Sequence, residues 1–391
     1  MQKRIKMKDS QTVWYGKNFK LGILGGGQLG RMIIQEAIDW NVHIYCLDPD
    51  PNAPCSEIAN GFTNGSITDY QTVLDFAKDK DVVTVEIENV NIEALEEVEK
   101  MGVKVFPQPN VLRIIRDKGI QKEFYKKHGL PTSDFSLINS KADLSSFDNS
   151  SPKVQKLRTG GYDGRGVKVL KSQKDIDNAF NAPCVLEDYI PFEKELAIIV
   201  ARNESGETST FPVVECEFSA EANLVEFLFS PADISNHIEN EAKEIAVNII
   251  ESLQMVGILA VEFFLTKDGQ LLINEIAPRP HNSGHHTIEC NITSQFQQHL
   301  RSILNLPLGD TSSINCGAML NILGEKNSNG PALYDGLDFL LNESGVFVHV
   351  YGKEVVKSFR KMGHITLMAP TIVELKQKVG FIKGKLKVHS G

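Results

Sequence analysis

The chain has 391 residues, 41% of them hydrophobic and 23% charged, with a net charge of −9. That length accommodates two or three domains of roughly 100–200 residues each, and the composition suits a globular enzyme with a full core. The acidic balance argues against a broad basic face for nucleic acid and leaves a small-molecule substrate.

No apolar run approaches the length that spans a bilayer. The basic N-terminal extension, 1–19, lacks the apolar stretch of a signal peptide, so a cytoplasmic location is expected. The cysteines at 46, 55, 184, 216, 290 and 316 include no CxxC pair and suit reduced thiols.

In chain order, an apolar run at 21–24 meets a glycine turn. A helical pattern follows through Trp40, and a second run at 42–47 ends at Asp48. Further β-branched runs lie at 81–85 and 103–106, with helical segments between them. The alternation predicts a Rossmann-like α/β domain over 20–117, a parallel sheet with helices on both faces. Gly25-Gly-Gly27-Gln-Leu-Gly30 fits GxGxxG between a strand and a helix, and Asp48 could serve a ribose, which is the dinucleotide pattern. A structural β–α turn explains these residues equally, and the same glycines would let backbone N–H groups approach a substrate phosphate.

A helix is expected over 117–129, closed by Gly129 and stopped by Pro131. The pattern then turns α+β. Strand-like runs lie at 153–157 and 167–171 around a glycine loop, after a polar loop at 140–151, and again at 184–190, 196–201 and 210–215. Runs at 257–265 and 270–276 flank Thr-Lys-Asp-Gly, a hairpin signal. A helix over 294–304 precedes Pro307, and the tail from 316 is strand-rich. The expected division is a central domain over 118–315 and a small strand-rich C-terminal domain over 316–391.

The glycine loop 159–166 lies between two strands and lacks GxxxxGK[ST], so it is no Walker loop. Four glycines and Arg165 form a flap able to fold over a triphosphate, although a glycine-rich surface hairpin would look the same. Lys156 sits in an apolar strand, where a phosphate would satisfy it, and Lys118 starts the preceding helix; each could equally be solvated. The strand end at 187–190 offers backbone groups to an adenine edge, and Glu195 could accept from ribose hydroxyls; ordinary surface acids are the alternative. Glu262 and Glu275, with Asn274, stand among apolar residues on the two hairpin strands. Burying acids there is costly unless they hold a cation, and two carboxylates with an amide oxygen suit Mg²⁺. Arg279 in Pro-Arg-Pro-His281 could steady a developing phosphoryl charge. A zinc site of His281, His285 and His286 lacks the usual spacing.

Together these motifs resemble the N5-carboxyaminoimidazole ribonucleotide synthetase family of the ATP-grasp superfamily. The resemblance runs from about Lys20 to near the C-terminus: GGGQLGRM at 25–32, EIENV at 86–90, RTGGYDGRG at 158–166, INEIAPRPHNSGHHT at 273–287, SQFQQHLR at 294–301 and GKEVVKSFRKMGHI at 352–365. It implies an ATP-grasp central domain that binds ATP and Mg²⁺ and carboxylates aminoimidazole ribonucleotide with bicarbonate, in a homodimer. The implied ATP contacts are Lys118 (more often arginine in relatives), Lys156, the flap residues Gly161, Tyr162, Asp163, Gly164, Arg165, Gly166 and Val167, the hinge Glu187, Asp188, Tyr189 and Ile190, then Glu195, Asn274 and Glu275. Glu262 and Glu275 are the implied metal ligands, and Arg279 and Glu275 the catalytic residues. By similarity to a related transformylase, Gln28, Leu29, Glu86, Asn282, Lys353, Arg360 and Lys361 would hold the ribonucleotide. Segment 214–226 departs from relatives and receives no role. A formate-dependent glycinamide ribonucleotide transformylase is the alternative of the same architecture. Relatives of that kind carry a serine-rich flap and an aspartate where Asn282 stands. A dinucleotide-binding oxidoreductase is the alternative of another class.

Overall fold

The computed structural model describes residues 13–146, 151–161, 166–218 and 225–391. The first part forms β1 (Leu21–Leu24), α1 (Gln28–Asp39), β2 (Ile44–Asp48), β3 (Gly61–Asn64), α2 (Tyr70–Ala77), β4 (Val82–Val85), α3 (Ile92–Lys100), β5 (Lys104–Val105) and α4 (Pro109–Arg116). The five strands are all parallel, in the order β3-β2-β1-β4-β5. Every residue of β1 and β4 is buried because helices cover both faces, which is why these strands read as unbroken apolar runs. The strand order reverses between β1 and β4, opening a crevice at their carboxyl ends where the glycine turn and Glu86 lie.

Next come α5 (Lys118–Lys127), β6 (Phe135–Ile138), β7 (Lys153–Leu157), β8 (Val167–Leu170), α6 (Gln173–Asp177) and β9 (Cys184–Asp188). Asp117 caps α5 by accepting from the Gly119 and Ile120 N–H groups, and Gly129 ends it at φ 64°, a left-handed conformation that glycine adopts without strain. The strands form a small antiparallel sheet in the order β6-β9-β7-β8.

A larger sheet follows from β10 (Phe192–Arg202), β11 (Thr208–Thr210), β12 (Val214–Phe218), β13 (Val225–Ser230), α7 (Asn236–Ser252), β14 (Gly257–Thr266), β15 (Leu271–Ala277), α8 (Thr287–Cys290) and α9 (Gln295–Ile303). Its order is β15-β14-β10-β12-β13, with β11 beside β10, and α7 lies against β10, its Ala242, Ala246, Ile249 and Ile250 sharing one core with Leu196, Ile198, Val200 and Ile273. The single run expected at 210–215 is two strands instead. Pro212, which has no N–H to give a ladder, lies in the break, while Phe211 and Val213 stay buried.

The tail contributes β16 (Cys316–Leu323), β17 (Asn329–Asp335), α10 (Leu337–Leu341), β18 (Val346–Val350), β19 (Val355–Lys357), β20 (Lys361–Ala369), α11 (Ile372–Ile382) and β21 (Lys387–Ser390). It carries two helices besides its strands. Strands β16, β20 and β18 extend the large sheet through the pairing of β13 with β16, while β19-β17-β21 form a separate ribbon. All six cysteines are free. Among the described residues, no helix is long and apolar enough to cross a membrane.

Candidate active site

The hairpin of β14 and β15 sets the floor of a cleft. Glu262 stands directly opposite Glu275, but one step further Phe263 opposes Ile273, so Asn274 is an extra residue in β15. Such a bulge resets the alternation of side chains. Ile273 and Ile276 enter the core, and the consecutive Asn274 and Glu275 are both left half-buried on the side of Glu262.

Lysines from the small sheet and α5 close over these groups. Lys118 Nζ donates to Glu275 Oε2, and Lys156 Nζ donates to Asn274 Oδ1 at 2.8 Å. Lys118 holds Glu275 well below the usual carboxylate range. Burial, followed by the charge of Glu275, pushes Glu262 up. The two facing carboxylates raise one another's cost of ionisation, which a bound cation would relieve, and this donor set of hard oxygens fits a divalent ion completed by phosphates. Among the described residues, no group of three or more His, Cys, Asp or Glu could hold a metal alone. His281 Nε2 lies 3.5 Å from Glu262 Oε1 and its Nδ1 lies 2.9 Å from Ser283 Oγ, whereas His285 and His286 are buried away from water. The zinc arrangement is therefore not formed.

The hinge strand β9 divides its acids. Asp188 and Tyr189 are exposed, but Glu187 is only 3% exposed. Its carboxylate lies 3.2 Å from both Lys122 Nζ and Lys156 Nζ and accepts from Ser133 Oγ at 2.9 Å. Burial pushes Glu187 up, but Lys156 and Lys122 outweigh it and hold the group below its ordinary value. Lys122, which the sequence did not single out, is lowered to about 8 by burial, against the pull of Glu187. Glu195 on β10 is raised to about 7 by burial, with Lys156 opposing. In the flap, Gly161, Gly166 and Val167 flank the cleft strands, and Gly166 adopts φ 81°; Tyr162, Asp163, Gly164 and Arg165 lie outside the described residues.

Arg279 follows β15 and turns toward the first domain, where its Nε lies 2.9 Å from Glu88 Oε1. Glu88 is a second residue missed from sequence. It stands in EIENV, but nothing local pairs it with an arginine far along the chain.

The glycine turn is filled by the chain itself. Glu86, at the carboxyl end of β4, accepts from Gly27 N–H and, at 3.1 Å, from Leu29 N–H. Asp48 accepts from Gly26 N–H at 2.7 Å. These carboxylates take the donors that a dinucleotide pyrophosphate would need, and Asp48 is turned to the loop rather than to a ribose. A Cβ at Gly25 or Gly27 would collide with Glu86, so the glycines serve this internal contact. The oxidoreductase alternative is not favoured.

Of the other residues expected to hold the ribonucleotide, Lys353 and Gln28 lie nearest this turn. Lys353 contributes to the electrostatics of Glu86 and donates to Lys361 O at 2.7 Å. Gly352 lies against Arg31 of α1. The Asn282 amide nitrogen is buried without a hydrogen-bond partner, a donor aimed at no protein acceptor. Gln28 is half-buried at the start of α1. Arg360 donates to Val355 O at 2.6 Å, in the turn before β20.

A small sheet facing a large one across a cleft, with lysines from one side meeting paired acids from the other, defines an ATP-grasp ligase. Family models agree along the chain. The ribonucleotide synthetase preATP-grasp domain matches 19–116, the ATP-grasp domain 123–296, and the phosphoribosylaminoimidazole carboxylase C-terminal domain 317–378. The chain is similar to N5-carboxyaminoimidazole ribonucleotide synthase of Bacillus subtilis, with 36% identity over 89% of this chain and 91% of that protein. It is 38% identical to phosphoribosylaminoimidazole carboxylase of Saccharomyces cerevisiae over 97% of this chain, which spans 67% of that longer protein. Among solved structures, N5-carboxyaminoimidazole ribonucleotide synthetase from Thermotoga maritima superposes with a TM-score of 0.88 at 40% identity, covering 95% of this chain and 100% of that one. The Aspergillus clavatus enzyme in complex with ADP and 5-aminoimidazole ribonucleotide gives 0.86 at 34% identity, covering 94% and 98%. The chain belongs to the N5-carboxyaminoimidazole ribonucleotide synthetase family.

Proposed function

We infer that this chain carboxylates 5-aminoimidazole ribonucleotide with bicarbonate in purine biosynthesis, yielding N5-carboxyaminoimidazole ribonucleotide, ADP and phosphate. The observation that carries the reading is the bulged hairpin that brings Glu262, Asn274 and Glu275 onto one face beneath Lys118 and Lys156. The ADP and ribonucleotide complex of the Aspergillus clavatus relative supports the same substrates here.

A bicarbonate oxygen attacks the γ-phosphorus of ATP, the bond to ADP breaks, and carboxyphosphate forms. The exocyclic amine of the ribonucleotide then takes the activated carbon, directly or as CO₂, and phosphate leaves. Lys118 and Lys156 hold the phosphates, and Arg279, braced by Glu88, faces the charge that develops during transfer. Glu262 and Glu275 would hold Mg²⁺, which supplies charge neutralisation on the phosphates when bound. Residues 161–167 act as the lid that keeps water from carboxyphosphate. The hinge 187–190 reads adenine, and Glu195 accepts from ribose hydroxyls. Gln28, Leu29, Glu86 and Asn282 orient the ribonucleotide, and Lys353, Arg360 and Lys361 grip its phosphate. We assign the division at 117 and 315, a homodimeric state and a cytoplasmic location on the same basis.

The test is phosphate release from ATP in the presence of bicarbonate, with aminoimidazole ribonucleotide, glycinamide ribonucleotide or no acceptor. Release stimulated by the first alone is expected. Formate-dependent release with glycinamide ribonucleotide would replace this reading with a transformylase.

Glu195 adds a pH signature. An ionised carboxylate accepts a ribose hydroxyl better than a carboxylic acid does. Because the Glu195 value stands near 7, ATP affinity is expected to rise as pH increases from 6 to 8. Glu195→Gln, neutral throughout, should make that rise shallower in a calorimetric titration, leaving the part owed to Glu262, which is also pushed up. An unchanged slope would remove Glu195 from the ribose.

A further inference from the structure

Lys122 lies one helical turn after Lys118, on the inner face of α5. Its side chain is only 2% exposed. Nζ donates to Thr132 Oγ1 at 2.6 Å and to Ser133 Oγ at 3.0 Å, and lies 3.2 Å from Glu187 Oε2. The other oxygen, Oε1, lies 3.2 Å from Lys156 Nζ. Lys156 in turn donates to Asn274 Oδ1 at 2.8 Å across the cleft. Thr132 ties the assembly to β15, since its hydroxyl donates to Ile273 O at 2.9 Å.

A buried carboxylate with a single lysine partner forms a closed pair and holds that lysine tightly. Glu187 instead has two lysine partners, one on each oxygen. We propose that Lys122 is a positioning residue: by occupying Glu187 Oε2 it weakens the hold of Glu187 on Lys156, which stays shared with Asn274 and turned to the phosphate end of the cleft. Without the Lys122 charge, the full carboxylate is left to Lys156 and draws its ammonium back into β9. This rests on the reading that ATP phosphates meet Lys156. A strut that only joins α5 to β9 would stabilise the fold without favouring phosphates over adenosine.

The two roles separate in the ratio of affinities for AMP-PNP with Mg²⁺ and for AMP, measured by calorimetry on the full chain. Lys122→Met is expected to lower that ratio about tenfold, the worth of one hydrogen bond to a charged group. Glu187→Gln in the same chain removes the charge that captures Lys156 and should restore the ratio to within about threefold of the parent. Should methionine fail to fold, Lys122→Gln, which retains a donor and loses the charge, carries the same expectations. Equal weakening of both ligands, or no recovery with Glu187→Gln, would overturn the positioning role in favour of a strut. A ratio that falls in Lys156→Ala but not in Lys122→Met would overturn it alone. A parent chain that binds both ligands equally would overturn the nucleotide reading and this role together.

Discussion

Replacing Glu275 with alanine is expected to abolish bicarbonate-dependent ADP formation, lowering kcat by roughly 10³-fold or more. Glu275 is the carboxylate that Lys118 keeps ionised, and it faces Glu262 across the hairpin, so its removal takes both a cation ligand and the anchor of Lys118. The fold should survive. The pair is partly open to solvent, with side-chain exposures of 20% and 43%, and such ion pairs contribute ~1 kcal/mol or less. A melting temperature within a few degrees of the parent is expected, read by circular dichroism. Glu275→Gln keeps the shape and loses the charge, and it should be nearly as inactive. A coupled ADP assay showing either variant within tenfold of the parent would remove Glu275 from the metal site.

The acids of this hairpin were visible in the sequence because carboxylates inside apolar strands have few explanations. Their geometry was less so. Period-two alternation places Asn274 and Glu275 on opposite faces, and only the register across β14 shows the bulge that unites them. Lys122 was hidden for a different reason. In KGIQKEFYKK it is one of several lysines on a helix, and what buries it is β9, far along the chain. Glu88 was hidden likewise, its partner Arg279 arriving from another domain. At the level of fold, local periodicity marked strands and helices well, as in β1, α1 and the hairpin. It could not show that β16 pairs with β13, because strand partners carry no local signal. The glycine turn was misleading in a physical sense. The pattern reports close backbone approach, and here the approaching anion is the chain's own Glu86.

That internal anion sets the other large expectation. Glu86→Ala should lower kcat/KM for aminoimidazole ribonucleotide roughly 100-fold, with AMP-PNP affinity unchanged within about threefold. Burial pushes Glu86 up, and the Gly27 and Leu29 N–H groups oppose this, as does Lys353. The carboxylate therefore links the start of α1 to a basic residue of the C-terminal part. Alanine would leave two backbone donors unsatisfied at the helix N-terminus, at a cost of about 1–3 kcal/mol, and would remove a carboxyl group from the field of Lys353. Loss in the ribonucleotide kinetics alone, with nucleotide binding intact, would locate Glu86 in the acceptor half of the site. Glu86→Gln retains one acceptor but sets an amide N–H₂ toward the turn, so an intermediate loss is expected. If both variants kept the parent's kcat/KM, the crevice between β1 and β4 would be a structural joint, and the ribonucleotide would have to bind elsewhere.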